Sequence, residues 1–307
     1  MSDRRPRALW RLLLQAALLG VSVLLPIFLI AEPLTMLHRA GHFLPRANKA
    51  VYDRIINLIV GPLFTAGVVL SVWVAGRWLD KRRFREFGLV PDRRWWGELA
   101  GGLALGAGLM AMLFGVEHGL GYVEVTGTFA ANAAGVPLAL AFAFTAVKCL
   151  CVGVAEETFS RGYQLTNIAE GTGSVTAAVV LTALVFAVLH ATNDNATAMS
   201  TAGLFGAGLM FAAARIVTGR LAAPIGLHIS WNFVQGAVLG FPVSGDKEGA
   251  SVLGIAQRGP EWLTGGAFGP EAGVLGIAAM AAGAAVFALG AKSRKHRPNV
   301  ISVTIEP

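Results

Sequence analysis

Eight stretches of about twenty predominantly apolar residues constrain this chain more than any other feature. They run roughly over 9–31, 56–76, 97–118, 137–157, 174–190, 197–217, 221–240 and 270–290. A bilayer core of about 30 Å requires helices of this length. Only 14% of the 307 residues are charged, where a soluble domain carries about 25%. The expected fold is all-α: a polytopic transmembrane helical bundle of about eight membrane helices. The apolar stretch after RRPRALWR is too long for a signal peptide and reads as a retained first helix.

The net charge of +7 does not indicate a nucleic-acid partner. The basic residues sit in short clusters beside apolar blocks, and no long basic face or nucleic-acid motif is present. Clusters before the first stretch (Arg4, Arg5, Arg7, Arg11), between the second and third (Arg77 to Arg94), between the sixth and seventh (Arg215, Arg220) and after the eighth (Lys292 to Arg297) fall on one side. By the positive-inside rule that side, with both termini, is cytoplasmic. The segment 32–55, with Arg39, Arg46, Lys49 and Arg54, runs against this pattern. The Ala, Gly and Arg bias suggests a GC-rich bacterial genome, so the expected location is a bacterial inner or plasma membrane.

KRRFREFGLVPDRRWW, 81–96, reads as a basic interfacial anchor, with Trp95 and Trp96 at headgroup level. Gly102 and Gly106 have the spacing of a close helix contact. Cys149 and Cys151, two apart in one apolar block, read as packing residues rather than a disulfide or zinc pair. The chain divides into helices 1–3 with the interfacial segment (1–136), a polar-marked core of helices 4–7 (137–240), and an external loop, last helix and basic tail (241–307).

Three polar stretches interrupt apolar helices: EETFSR (156–161), FAVLH (186–190) and HISWN (228–232). Ionisable groups are costly in a membrane and mark function or tight pairing. Residues four apart share a helix face, so Glu157 pairs with Arg161 and Glu156 points elsewhere. A carboxylate left without a same-face partner is a general-base candidate. His228 and Asn232, again four apart, could together hold an oxyanion, and His190 could share a water with Glu156. The set suggests addition of water to a carbonyl, as in amide hydrolysis. Taken singly, each residue also has a structural reading as helix-to-helix hydrogen bonding.

The ordered set E156-E157-x-x-x-R161, F186-x-x-x-H190 and H228-x-x-x-N232 resembles the CAAX-protease and bacteriocin-processing (CPBP) family of intramembrane endopeptidases, which includes type II CAAX prenyl endopeptidases. The resemblance covers roughly 137–240. It implies that Glu156 and His190 activate water, that His228 and Asn232 form the oxyanion site, and that Glu157, Arg161 and Phe186 support them. It implies no cofactor, a membrane-associated peptide or protein as substrate (a CAAX-type prenylated peptide or a leader or membrane precursor), and contact with lipid. Glu156, His190 and His228 would be the ligands if zinc were used. A non-proteolytic regulator or bacteriocin self-immunity protein of the same family is the alternative. A proton-relay transporter is a third class, with no inverted repeat to support it.

Glu156 and His190 meet only if the fourth helix continues to about residue 170 before a tight turn at Gly171 and Gly173. They then lie 14 and 16 residues from the turn, roughly 21 and 24 Å along the two helices. Lys148, also intramembrane, has Glu117 as one candidate partner. His38, His42 and His296 are expected in loops or tail without chemistry.

Overall fold

The computed structural model describes residues 7–43, 49–131, 136–247 and 249–293. Arg4, Arg5, Arg46, Arg294, Lys295, His296 and Arg297 lie outside them. Eight helices dominate: α1 (Ala8–Arg39), α2 (Val51–Trp78), α3 (Arg93–Gly119), α4 (Leu138–Thr172), α5 (Val175–Leu189), α6 (Ala198–Thr218), α7 (Ala222–Phe233) and α8 (Val274–Ala291). Among the described residues, six of these are long and apolar enough to cross a membrane. The two others, α5 and α7, span 15 and 12 residues, although a wider π turn carries α7 on through Val234–Val238. The expected eight membrane helices therefore reduce to six by length, with two shorter helices packed among them.

The outward face is apolar, as a lipid-facing bundle requires: Leu13, Leu24, Phe28, Leu184 and Leu289 are all exposed. Polar side chains cap the starts of α3, α5 and α6. Asp92 accepts from the Trp95 backbone N–H, Ser174 from Ala177 and Thr197 from Ser200. Where helices approach most closely, glycine removes the obstructing side chain. A Cβ on Gly102 would stand 2.2 Å from the Ala223 carbonyl oxygen, and one on Gly106 2.2 Å from the Ser230 hydroxyl. The Gly102/Gly106 pair thus seats α3 against α7. Gly208 on α6 is similarly pressed to Ala183 on α5.

Helix α4 runs 35 residues, about 52 Å, and passes through a π turn at Thr158–Gln164 without stopping. Gly173, in the left-handed region at φ +65°, terminates it; Gly171 remains inside the helix. The antiparallel return of α5 brings His190 back to the depth of Glu156.

Hydropathy misses a small antiparallel sheet. Strand β1 (Val123–Ala131) pairs with β2 (Ala250–Gln257), from Val123 opposite Gln257 to Ala131 opposite Ala250. Both strands lie in segments expected as loops. His38 is helical rather than in a loop, and its ring stacks on Tyr52. Lys148 donates to Asp246 at 2.6 Å instead of meeting Glu117, which is fully buried at the far end of α3.

Candidate active site

Glu156 and Glu157 end the regular part of α4, immediately before its π turn. A π turn inserts an extra residue per turn and re-aims the side chains around it, and such turns recur at functional sites. Glu157 and Arg161 have no exposed surface. Arg161 donates from one guanidinium nitrogen to Glu157 Oε1 at 2.8 Å, and from the other to the Gly208 carbonyl at 3.3 Å. Its guanidinium carbon lies 4.5 Å from the Phe186 ring centre and 5.1 Å from that of Phe211. A buried cation is thereby held by one carboxylate, one carbonyl and two aromatic faces.

Glu157 has a second task that spacing does not reveal. Its Oε1 also stands 3.1 Å from Nδ1 of His228 on α7. The His228 ring stacks on Phe211, with centres 4.7 Å apart and planes 13° apart. With Nδ1 occupied, Nε2 of His228 faces Glu156 Oε2 at 3.9 Å. His190 repeats the arrangement. Its Nδ1 bonds the Phe186 carbonyl at 2.8 Å, and its Nε2 lies 3.9 Å from Glu156 Oε1. Phe186 therefore supports the site twice, by its ring under Arg161 and by its carbonyl on His190.

Glu156 is thus flanked by two imidazole Nε2 atoms, one per carboxylate oxygen. A separation of 3.9 Å is too long for a direct hydrogen bond and suits a bridging water. The Glu156 side chain is 29% exposed, against 0% for Glu157. It lines a cavity of about 200 Å³ together with His190, His228, Asn232 and Lys148. It also lines a more apolar cavity of about 440 Å³ with Phe64, Phe159 and Leu189. Of the residues singled out from sequence, Glu156, His190, His228 and Asn232 share the smaller cavity. Glu157 and Arg161 lie behind it, and Phe186 is in its wall.

Sequence reasoning passed over four polar residues of this cavity: Asn193, Ser244, Asp246 and Glu271. The Asn193 amide donates to the Ser244 carbonyl at 2.9 Å. Glu271 Oε1 accepts from the Ser244 backbone N–H at 2.5 Å and from its hydroxyl at 3.1 Å, and Oε2 accepts from Gln235. Burial nonetheless pushes the Glu271 carboxyl up to about 7. Ser244 sits at φ +48°, a strained position for a residue with a side chain, and Glu271 holds it there. A polar run after His190 (Thr192 to Asn195) was the available signal for Asn193. A lone Glu at the head of an apolar segment was the signal for Glu271. As spaced here, no group of three or more His, Cys, Asp or Glu among the described residues is arranged to hold a metal ion.

Residues 137–234 match the family model described as Type II CAAX prenyl endopeptidase Rce1-like. The matched segment contains Glu156, Glu157, Arg161, Phe186, His190, His228 and Asn232. No curated protein and no solved structure matches the chain.

Proposed function

We propose, from the premise that residues 137–234 are Rce1-like, that this integral membrane protein is an endopeptidase hydrolysing a peptide bond of a membrane-associated substrate. The observation that carries the reading is the placing of both histidine Nε2 atoms 3.9 Å from the two oxygens of Glu156, in a cavity within an apolar bundle. The substrate classes proposed for it are a prenylated CAAX-type C-terminus and a leader or membrane precursor.

In the proposed reaction a water sits between Glu156 and His190. Glu156 takes its proton as the oxygen attacks the scissile carbonyl carbon. The carbonyl oxygen becomes an oxyanion, received by His228 Nε2 and the Asn232 amide. For Nε2 to donate, the His228 ring must carry a proton on each nitrogen, and Glu157 against Nδ1 is the group that balances that charge. The C–N bond then breaks, and the proton held by Glu156 passes to the leaving amine. Arg161 fixes the Glu157 carboxylate in place, so its contribution runs through His228.

The donor set of two imidazoles and a carboxylate resembles zinc ligands chemically, but its spacing here does not form a metal cluster. The reaction above needs none. Asn232→Ala is expected to lower turnover about 10²–10³-fold, the usual cost of one oxyanion donor. Active protein is expected to hold well under one zinc per chain and to withstand chelators. Stoichiometric zinc, with activity lost on chelation and restored by zinc, would contradict this mechanism and reassign Glu156, His190 and His228 as ligands.

A further inference from the structure

The end of α2 nearest the 81–96 segment carries a further cavity, which shares no lining residue with the two around Glu156. It has a volume of about 500 Å³ and is lined by Trp73, Arg77, Lys81, Arg82, Arg83 and Phe84. Four of the six residues are cationic and none is acidic. Of the nearby carboxylates, Asp80 and Glu86 are engaged outside the cavity and Glu170 reaches one of its cations. Asp80 is buried against Arg11 at 2.9 Å, and Glu86 Oε1 caps the Arg83 backbone N–H at 3.0 Å. Glu170 bridges Arg11 and Arg82, which fixes Arg82 as one wall of the cavity. The backbone at Lys81 turns through φ +54°, folding the 79–83 connection back over the helix end. The lining itself carries four cations and no carboxylate, and a cavity lined by one sign of charge concentrates a counter-ion.

The two aromatic residues point to where that anion comes from. Trp73 is 44% exposed on the last turns of a membrane-spanning helix and packs edge-on against Trp78, which is 60% exposed. Paired exposed tryptophans at a helix end mark the headgroup level of a bilayer. A ligand there would set a phosphate among Arg77, Lys81, Arg82 and Arg83, with its apolar part along Trp73.

We infer that this cavity is a binding site for the phosphate headgroup of an anionic phospholipid. The inference does not depend on the peptidase reading. The test is thermal melting of the purified full-length chain in neutral detergent, titrated with short-chain phosphatidylglycerol, short-chain phosphatidylcholine or inorganic phosphate. The expected result is saturable stabilisation by phosphatidylglycerol and little by the other two. Each cation removed near a charged headgroup should weaken binding roughly fivefold, so Arg77→Gln with Arg83→Gln should weaken it about 25-fold. Should the double variant melt too early to titrate, Arg77→Gln alone is expected to show the roughly fivefold loss. Arg93→Gln with Arg94→Gln, basic residues outside the cavity, should leave the affinity unchanged. Undiminished affinity in the cavity variants, equal loss in the Arg93/Arg94 control, or equal stabilisation by phosphatidylcholine would overturn the site. Inorganic phosphate matching phosphatidylglycerol would overturn the lipid assignment.

Discussion

Glu156 and Glu157 are adjacent in the chain, yet one lines a cavity and the other has no exposed surface. About 100° of helix rotation separates neighbouring residues, which is enough to divide two chemically identical side chains between solvent-accessible and structural roles. That division was legible from the i,i+4 spacing of Glu157 and Arg161. The bond from Glu157 to His228 was not, because it joins residues 71 apart and depends on how α4 meets α7. Removing Glu157 would strand Arg161 and release His228 together. Glu157→Ala is expected to lose about 3–5 kcal/mol, the cost of leaving a buried charge unpaired, and to melt well below Glu156→Ala in the same detergent. Equal melting temperatures would contradict the division. Glu271 gives a pH-dependent counterpart. Its folded form holds a proton more tightly than the ordinary carboxylate value, so the associated stability is full below about 4.5 and is lost as pH rises through about 7. The wild-type melting temperature should fall between pH 5 and 8 by a component that Glu271→Gln lacks; parallel pH profiles would refute this.

At the scale of elements, hydropathy locates helices but not how far they run. The apolar part of α4 ends near Glu157, while the helix goes on to Thr172 because no proline intervenes and Gly173 is the first glycine after Glu157 to turn left-handed. The requirement that Glu156 and His190 meet was what exposed the longer helix. The β1–β2 pairing lacked any such requirement. VEVTGTFAA alternates apolar and polar residues over its first positions, a strand signal that hydropathy averaging hides, but its partner ASVLGIAQ does not alternate and lies far away in sequence. The Lys148–Asp246 pair was hidden for the same reason, since it joins an intramembrane lysine to a loop residue 98 positions on. Close helix approach is directly testable. Gly102→Ala would put a methyl group 2.2 Å from the Ala223 carbonyl oxygen, whereas the same change at Gly101 meets nothing within 4 Å. Gly102→Ala should cost about 1–3 kcal/mol by overpacking the α3–α7 contact. Gly101→Ala should be neutral or slightly stabilising. Matching melting temperatures for the two would show that this contact yields easily.

Across the whole molecule, a lipid-facing bundle encloses the polar cavity around Glu156, lined from α4, α5, α6 and α7 and roofed by the turn that Glu271 holds. The Rce1-like match falls on the helices that supply Glu156, His190 and His228, while α1 to α3 and α8 frame them. The central claim is that Glu156 activates the water that cleaves a peptide bond. Its most direct test is cleavage by the wild-type protein and by Glu156→Gln, each reconstituted in lipid vesicles. The panel would hold prenylated C-terminal peptides and membrane-anchored leader precursors, with melting temperature recorded alongside. Wild type should cleave at least one substrate, and Glu156→Gln should lose about 10²–10⁴-fold in turnover while melting like the wild type. Turnover by Glu156→Gln at the wild-type rate on the same substrate would contradict the account.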